Sequence, residues 1–349
     1  MPPYLLDWRI PMNITEVLNR PEYAFIKTNP HLGKAMVFAV FGGSYAYGTN
    51  TPDSDIDIRG CALNSRTDIL GSSSFEQVMD TETDTTIYSF NKLIRLLTEC
   101  NPNIIELLGC KPEHYVFFSD IGEMIVRNRN MFLSQKAYYT FSGYANQQLR
   151  RLRSALLRDR YDRAEKEKQI LLSCKSAMAS FNDRYREFEN GAIRLYTDRF
   201  RREELDTEIF MDVSLTHYPL RDYKNIWNDL NSIVKEYDKV SKRGAQKDDK
   251  HLNKHAMHLI RLFLMCLDIL EKQEINTYRK ANLPLLMSIR RGEYMQDDGT
   301  FRPEFFEMVD DFEKRLDYAG KNTALPAEPD YRQIEDFTVF VNERSIAGE

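Results

Sequence analysis

Two aspartates separated by one residue, Asp55 and Asp57, form the pattern in this sequence that most directly indicates chemistry. They lie in the segment Asp55-Ile56-Asp57-Ile58, in which acidic and apolar residues alternate. On a β-strand, such alternation places both carboxylates on one face and both isoleucines on the other. Two carboxylates this close repel each other unless a cation lies between them. Because all the donor atoms are oxygens, the pattern predicts a site for Mg²⁺ or Mn²⁺.

A glycine-rich turn precedes the aspartates and has the composition of a phosphate-binding turn. The apolar run Met36–Phe41 predicts a buried strand, and Gly42, Gly43 and Ser44 follow it directly. Glycines allow the backbone to approach a ligand closely. The Ser44 hydroxyl and backbone N–H groups at a helix start can then bind phosphate. Metal and phosphate sites side by side are typical of phosphoryl or nucleotidyl transfer.

A polar stripe on a helix far downstream is a second candidate site. Residues 250–272 read as a helix, in which His251, Lys254, His258 and Arg261 recur at spacings of three, four and three. These spacings place them on one face. A bound triphosphate would neutralise the lysine and the arginine, and His258 would make a hydrogen bond. Acidic side chains of neighbouring helices, or water, would also satisfy the stripe.

The order of the elements predicts two regions. Residues 1–118 mix strands and helices, with a sheet of roughly four strands, whereas residues 119–349 are almost wholly helical. We therefore predict an α+β fold, with a small catalytic sheet-and-helix domain followed by a helical substrate- or nucleotide-binding domain. The predicted strands are 35–41, 55–63, 75–79 and 83–89, and the main predicted helices of the second region are 119–129, 132–158, 161–190, 222–240, 250–272 and 302–317.

Composition limits the class of protein. The chain has 349 residues, of which 42% are hydrophobic and 29% charged, an ordinary globular profile. Its net charge of −5 does not favour a surface coated for nucleic acid. The absence of an apolar run of about 18 residues argues against a membrane span, and the first residues do not have the pattern of a signal peptide. The five scattered cysteines predict reduced thiols in a cytoplasmic protein.

Arginines cluster where two of the predicted helices meet. Nearby aspartates and glutamates make a solvated helix face one interpretation, and a phosphate-binding surface is the other. The cluster consists of Arg150, Arg151, Arg153, Arg158, Arg160 and Arg163.

The first motif carries a family resemblance. The motif consists of an apolar strand, Gly-Gly-Ser, ten further residues and Asp-x-Asp. It resembles the signature of the DNA polymerase β-like nucleotidyltransferase superfamily. Within it, three stretches together resemble the predicted nucleotidyltransferase family that includes RNA-repair-associated, RlaP-type proteins. These stretches are GSYAYGTNTPDSDIDIRG, DTTIYSFNKLIRLLTECNPNIIELL and KHAMHLIRLFLMCLDILEKQEINTYRKANLPLLMSIRRGEY.

The resemblance implies roles for the residues that match the family pattern. Gly43 and Ser44 would bind the nucleotide, and Lys254, His258 and Arg261 would line the cleft. The first two aspartates would bind metal. The pair Asn101-Pro102 matches an Asn-Pro pair of the family, which we interpret as a structural helix break.

The resemblance also implies a third metal-binding carboxylate, on the strand predicted at 83–89. Asp80, Glu82 and Asp84 share one parity, so each would face the cleft if the strand began early enough. Asp84 is our choice because it begins the β-branched run, and Glu82 is the second choice. This carboxylate would complete the metal site and accept the proton of the attacking hydroxyl. A carboxylate that keeps a strand edge soluble is the alternative.

The implied reaction is metal-dependent nucleotidyl transfer. An acceptor hydroxyl attacks the α-phosphorus of a nucleoside triphosphate, and pyrophosphate leaves. The family association and the arginine cluster favour an RNA 3′ end as the acceptor. Transfer to a protein or a small molecule is an alternative, although Tyr47 stands where antitoxin-like relatives often carry arginine. A nucleotide-binding protein without turnover is a further alternative, which the two intact aspartates disfavour.

Overall fold

The described residues form two compact units. The computed structural model describes residues 17–159, 193–202, 205–214, 216–224, 227–228, 231 and 249–348. The first unit contains Met1–Gln148, Asn253–Tyr294 and Pro303–Glu349, and the second contains Leu149–Leu252 and Met295–Arg302. The predicted boundary between residues 118 and 119 lies inside the first unit, which joins the N-terminal part to helices from the C-terminal part. The division into functional domains stays a prediction.

A mixed five-stranded sheet forms the centre of the first unit. Its strands are β1 Met36–Phe41, β2 Ile58–Ala62, β3 Gln77–Asp80, β4 Thr85–Ser89 and β5 Tyr115–Phe118. The spatial order is β3-β4-β2-β1-β5; β2 and β4 are parallel and the other neighbours are antiparallel. Every residue of β1 is buried, as its apolar run predicts. The strand β5 was not predicted, because its four residues follow a short helix with no turn pattern typical of a hairpin.

Helices cover the rest of the first unit. Those before residue 130 are α1 Phe25–Thr28, α2 Gly43–Tyr47, α3 Arg66–Leu70, α4 Phe90–Thr98, α5 Pro102–Ile105 and α6 Asp120–Arg127. The later ones are α7 Lys136–Asp159, α8 Asp249–Lys272, α9 Leu283–Arg290, α10 Pro303–Asn322 and α11 Tyr331–Ala347. The predicted α+β fold is therefore confirmed, including four of the predicted helices. The helix predicted at 161–190 and most of that at 222–240 lie outside the described residues.

Local sequence explains how α4 and α5 begin. The Ser89 hydroxyl accepts a hydrogen bond from the Lys92 N–H, which caps α4. The Asn101 side chain accepts one from the Asn103 N–H, and Pro102 occupies the first turn of α5, where its missing N–H costs nothing. The Asn-Pro pair thus starts a new helix.

The acidic strand is shorter than predicted. The prediction placed it at 55–63, but β2 begins at Ile58. The physical reason is that both neighbours turn away: α2 begins at Gly43, and Asp84 has a left-handed φ of 44° just before β4. Asp55 therefore precedes the strand and has no ladder partner. Strand alternation therefore does not place the side chain of Asp55 on the same face as that of Asp57.

The second unit contains an antiparallel pair, β6 Ile193–Arg202 and β7 Leu205–Val213. Neither strand was among the elements predicted from the sequence. Of the arginine cluster, Arg150, Arg151 and Arg153 lie exposed on α7. The Arg158 side chain, Arg160 and Arg163 lie outside the described residues. Among the described helices, none combines the length and apolar character needed to cross a membrane.

Candidate functional site

Asp57 and Asp84 lie side by side at the start of two parallel strands. Ile58 of β2 pairs with Thr85 of β4, so the preceding residue of each strand occupies the same end of the sheet. The Ile58 N–H donates to the Asp84 carbonyl, which extends the ladder by one bond. The two side chains share a hydrogen bond. The sheet therefore brings together two carboxylates that are 27 residues apart in sequence (84 − 57).

The two carboxyl groups titrate differently. Burial, with the hydrogen bond and the charge of Asp84 as further causes, raises the pKa of Asp57 to about 7. The hydrogen bond from Asp57 is the largest cause that lowers the pKa of Asp84, and Arg59 adds to it. Below neutral pH, Asp57 is thus the protonated donor and Asp84 the charged acceptor. A proton on Asp57 offsets the repulsion between the two carboxyl groups.

Two basic residues act on this pair. The Arg59 Nη2 donates to Asp84 Oδ1 at 2.9 Å, and its Nη1 donates to the Asp84 carbonyl. The charge of Lys254 on α8 lowers the pKa of both aspartates. Lys254 is exposed, so its ammonium group is accessible to a ligand beside the carboxylates.

Gly43 brings the predicted phosphate-binding turn against Asp57. Its φ is 53°, in the left-handed region, and a Cβ on this residue would overlap Oδ2 of Asp57. The Gly42 N–H donates to the Asp57 carbonyl at 2.9 Å, which continues the β1–β2 ladder. Ser44 follows in the first turn of α2 and is half-buried. Glycine is therefore required at position 43 for the approach that the sequence predicted.

Asp55 does not join the carboxylate pair. It is exposed and lies ahead of β2. Within the described part of the chain, no three His, Cys, Asp or Glu side chains lie close enough together to hold a metal ion. The predicted set of Asp55, Asp57 and Asp84 is thus represented by two neighbouring carboxylates and a third on the preceding loop. Glu82 is exposed in the turn before Asp84, so the geometry favours Asp84 over it.

Arg261 has a protein partner instead of an open cleft. Its Nη1 donates to Glu106 Oε2 at 2.8 Å, with 1% and 9% of the two side chains exposed. Its guanidinium lies 3.6 Å from the Tyr47 ring centroid, and the Tyr47 hydroxyl donates to Glu106 Oε1 at 2.7 Å. The sequence placed Arg261 on a triphosphate, whereas the structure gives it the acidic neighbour that was the alternative. We reassign Arg261 to a structural ion pair because it is buried, and helix periodicity alone does not reveal burial.

The remaining members of the polar stripe differ in exposure. His251 and Lys254 are exposed, and His258 is half-buried. The His258 Nδ1 lies 3.0 Å from Arg261 Nη2, so this histidine contacts the buried arginine. Only the exposed end of the stripe is open to a ligand, and Lys254 is the member that acts on the aspartates. Nucleotide binding by Lys254 and His258 stays a prediction.

Two residues of this region were missed in the sequence. Arg59 follows the acidic motif directly. Its position beside paired carboxylates was the signal that could have identified it. Glu106 gave no signal, because its partner Arg261 is 155 residues away. The Thr277 hydroxyl donates to the Glu106 carbonyl, so residues from distant parts of the first unit meet at this glutamate.

Comparison with known proteins supports the family resemblance that the first motif carries. Residues 20–178 match the sequence model of the family described as RlaP, RNA repair pathway DNA polymerase beta family. The predicted resemblance is confirmed, and it indicates a nucleotidyltransferase-like role. The matched range contains Gly43, Ser44 and the three aspartates. No curated protein and no solved structure matches the chain.

Proposed function

We propose that this chain is a metal-dependent nucleotidyltransferase that moves a nucleoside monophosphate from a nucleoside triphosphate to the hydroxyl of an RNA 3′ end. The observation that supports this most is the Asp57–Asp84 pair, which lies against Gly43 inside the range that matches the RNA repair family. Once its shared proton leaves, such a pair is a cation site.

The donor atoms fit a hard cation. Asp57 and Asp84 are adjacent, Asp55 lies on the loop ahead of them, and all three offer carboxylate oxygens, which Mg²⁺ and Mn²⁺ prefer. We propose these three residues as the metal ligands. When bound, the metal would polarise the transferred phosphate and offset the charge that develops on pyrophosphate.

The chain's own residues would orient the reactants. Gly43 allows the turn to lie against Asp57, and the Ser44 hydroxyl would donate to a phosphate oxygen. Lys254 would neutralise part of the triphosphate charge. The acceptor oxygen forms its bond to the α-phosphorus as the bond to the β-phosphate bridging oxygen breaks, and pyrophosphate takes the electron pair.

Asp84 is the proposed proton acceptor. Its side chain is 60% exposed, whereas Asp57 is covered by Gly43, so an incoming hydroxyl reaches Asp84 more easily. Arg59 holds this carboxylate in place through its 2.9 Å bond. The proton of the attacking hydroxyl would pass to Asp84 as the new bond forms.

An RNA acceptor is supported by two observations. The matching family is described by an RNA repair pathway, and Arg150, Arg151 and Arg153 are exposed on α7. Arginines bind backbone phosphates without reading sequence. A protein or small-molecule acceptor, or nucleotide binding without turnover, would contradict this part of the proposal.

The test uses the full-length chain, Mn²⁺ or Mg²⁺, and each of the four nucleoside triphosphates labelled at the α-phosphate. The acceptor is a defined RNA with a free 3′ hydroxyl, and the same RNA with a 3′-phosphate is its control. We expect label on the first RNA only, and none with Asp55→Ala/Asp57→Ala that keeps its circular dichroism. Label on the protein would point to a different acceptor. Full activity of the double variant would overturn the metal site.

A further inference from the structure

Arg290 is a half-buried cation, and one of its donors is buried and unsatisfied by the described residues. It is the last residue of α9, and its Nη2 donates to the Ser54 hydroxyl at 3.2 Å. Its Nη1 is buried and has no hydrogen-bond partner among the described residues. An unmade hydrogen bond on a buried charged group is costly, so the structure provides a binding group that the protein itself does not satisfy.

Arg261 and Arg279, the arginines that are buried in the described part of the first unit, each have a carboxylate partner, although the Arg261 Nε also has no hydrogen-bond partner among the described residues. Arg261 pairs with Glu106 at 2.8 Å, and Arg279 pairs with Asp268 at 2.7 Å. Arg290 has no carboxylate partner within the described residues, and burial alone lowers its pKa. The carbonyls at the end of α9 offset part of its charge, but Nη1 makes no bond to them. An anion from outside the chain is what this guanidinium lacks.

The position of Arg290 relates it to the proposed metal site. Ser54 closes a turn in which its hydroxyl accepts from the Thr51 N–H at 2.8 Å, and Asp55 is the next residue. Lys254 acts on Asp57 and Asp84, whereas Arg290 contacts the turn ahead of Asp55. Both cations are thus associated with the acidic motif, Lys254 through its effect on Asp57 and Arg290 through its contact with the turn before Asp55.

We propose that Arg290 binds the β- and γ-phosphates of the nucleoside triphosphate beside the turn that ends at Ser54. The guanidinium presents its donors as a planar fork, which matches two oxygens of a phosphate. The inference rests on the proposed function. It assigns a phosphate contact to Arg290 and none to Arg261, because Arg261 is buried and paired with Glu106.

The experiment measures binding to the full-length chain by calorimetry in Mn²⁺. The probes are inorganic triphosphate, an α,β-methylene nucleoside triphosphate that is not turned over, and a nucleoside monophosphate. Arg290→Met is compared with Arg291→Met, because the neighbouring arginine is exposed and paired with Glu293. Arg290→Lys keeps the charge without the fork, and Ser54→Ala removes the turn contact.

We expect Arg290→Met to weaken both triphosphate probes by about 10- to 100-fold. Binding of the monophosphate to Arg290→Met should change less than about twofold. Binding of both triphosphate probes to Arg291→Met should also change less than about twofold. Arg290→Lys should be intermediate, and it carries the test if the methionine variant does not fold. Ser54→Ala should keep most of the affinity.

Unchanged triphosphate affinity in Arg290→Met would overturn the inference while leaving the proposed function intact. An equal loss in Ser54→Ala, or an equal loss for the monophosphate, would also overturn it, since Arg290 would then only hold the turn. If the wild-type chain binds no triphosphate, both the inference and the proposed function fail together.

Discussion

The carboxylate of Asp57 lies directly against the Cα of Gly43, with no room for a side chain between them. The position of Asp57, a proposed metal ligand, and the conformation of the turn at Gly43 therefore depend on each other. Residue 43 has a left-handed φ of 53°, so any side chain there is unfavourable for both steric and backbone reasons.

Gly43→Ala should lower nucleotidyl transfer by about 100-fold, because displacement of a catalytic group by about 1 Å costs that much. Gly143→Ala is the matched control: Gly143 is in α7, and a Cβ there meets nothing within 4 Å. The control should keep its activity and gain up to about 1 kcal/mol in unfolding free energy. Equal activities of the two variants would show that the contact with Asp57 is unimportant.

Mn²⁺ affinity of the chain should depend on pH. The pKa of Asp57 is raised to about 7, so below pH 7 the metal must displace a proton. We expect the affinity to rise by up to about tenfold per pH unit from pH 5 to 7 and then to level off. The raised pKa also means that Asp57 stabilises the metal-free fold at low pH and that this contribution is lost as pH rises through about 7.

Calorimetric titrations at several pH values in buffers of different ionisation enthalpy measure both the affinity and the number of released protons. Asp57→Asn should lose the pH dependence along with most of the affinity. A flat profile for the wild-type chain would contradict the assigned proton.

Asp84→Asn should lower transfer by about 100- to 1000-fold, as expected for loss of a metal ligand and proton acceptor. Glu82→Gln is the control, because Glu82 is two residues away and exposed; it should change the rate less than about twofold. Single-turnover rates with saturating triphosphate separate chemistry from binding. The reverse ranking of the two variants would favour Glu82 as the third carboxylate.

Arg261→Met should lower the unfolding free energy by about 3–5 kcal/mol, because it leaves Glu106 buried and unpaired. Arg315→Met is the control: Arg315 and Glu271 are 2.6 Å apart, but 56% and 31% of their side chains are exposed, so its cost should stay below about 1 kcal/mol. Denaturant titrations give both values. Arg261→Met/Glu106→Leu should recover part of the loss.

If Arg261→Met instead keeps its stability and binds triphosphate weakly, the assignment to a structural ion pair fails. The nucleotide-binding role that was predicted for Arg261 would then be favoured.

Local patterns predicted the parts of the site that local interactions determine. The apolar run of β1 and the turn at Gly43 depend on residues within a few positions of one another, whereas the approach of Asp84 to Asp57 depends on the pairing of β2 with β4. The prediction for Asp55 was wrong in one respect, since the strand begins after it. That outcome depends on where β1 and β4 end, which is a property of the neighbours and not of the acidic segment.

Long-range pairing was beyond the sequence. Helical spacing correctly placed Lys254, His258 and Arg261 on related positions of one helix. It could not show that the stripe passes from exposed at Lys254 to 1% exposed at Arg261. The burial depends on Tyr47 and Glu106, whose contacts arise only when the chain folds back across more than a hundred residues.

The long sequence separation between Glu106 and Arg261 has a consequence for folding during synthesis. Glu106 leaves the ribosome 155 residues before Arg261, and Tyr47 leaves earlier still. The 155 residues correspond to roughly 10–30 s at ordinary translation rates. During that interval the Glu106 carboxylate lacks its cation, and the Tyr47 ring at the end of α2 lacks the guanidinium that lies over it. The nascent chain is thus expected to form these contacts only after α8 has emerged.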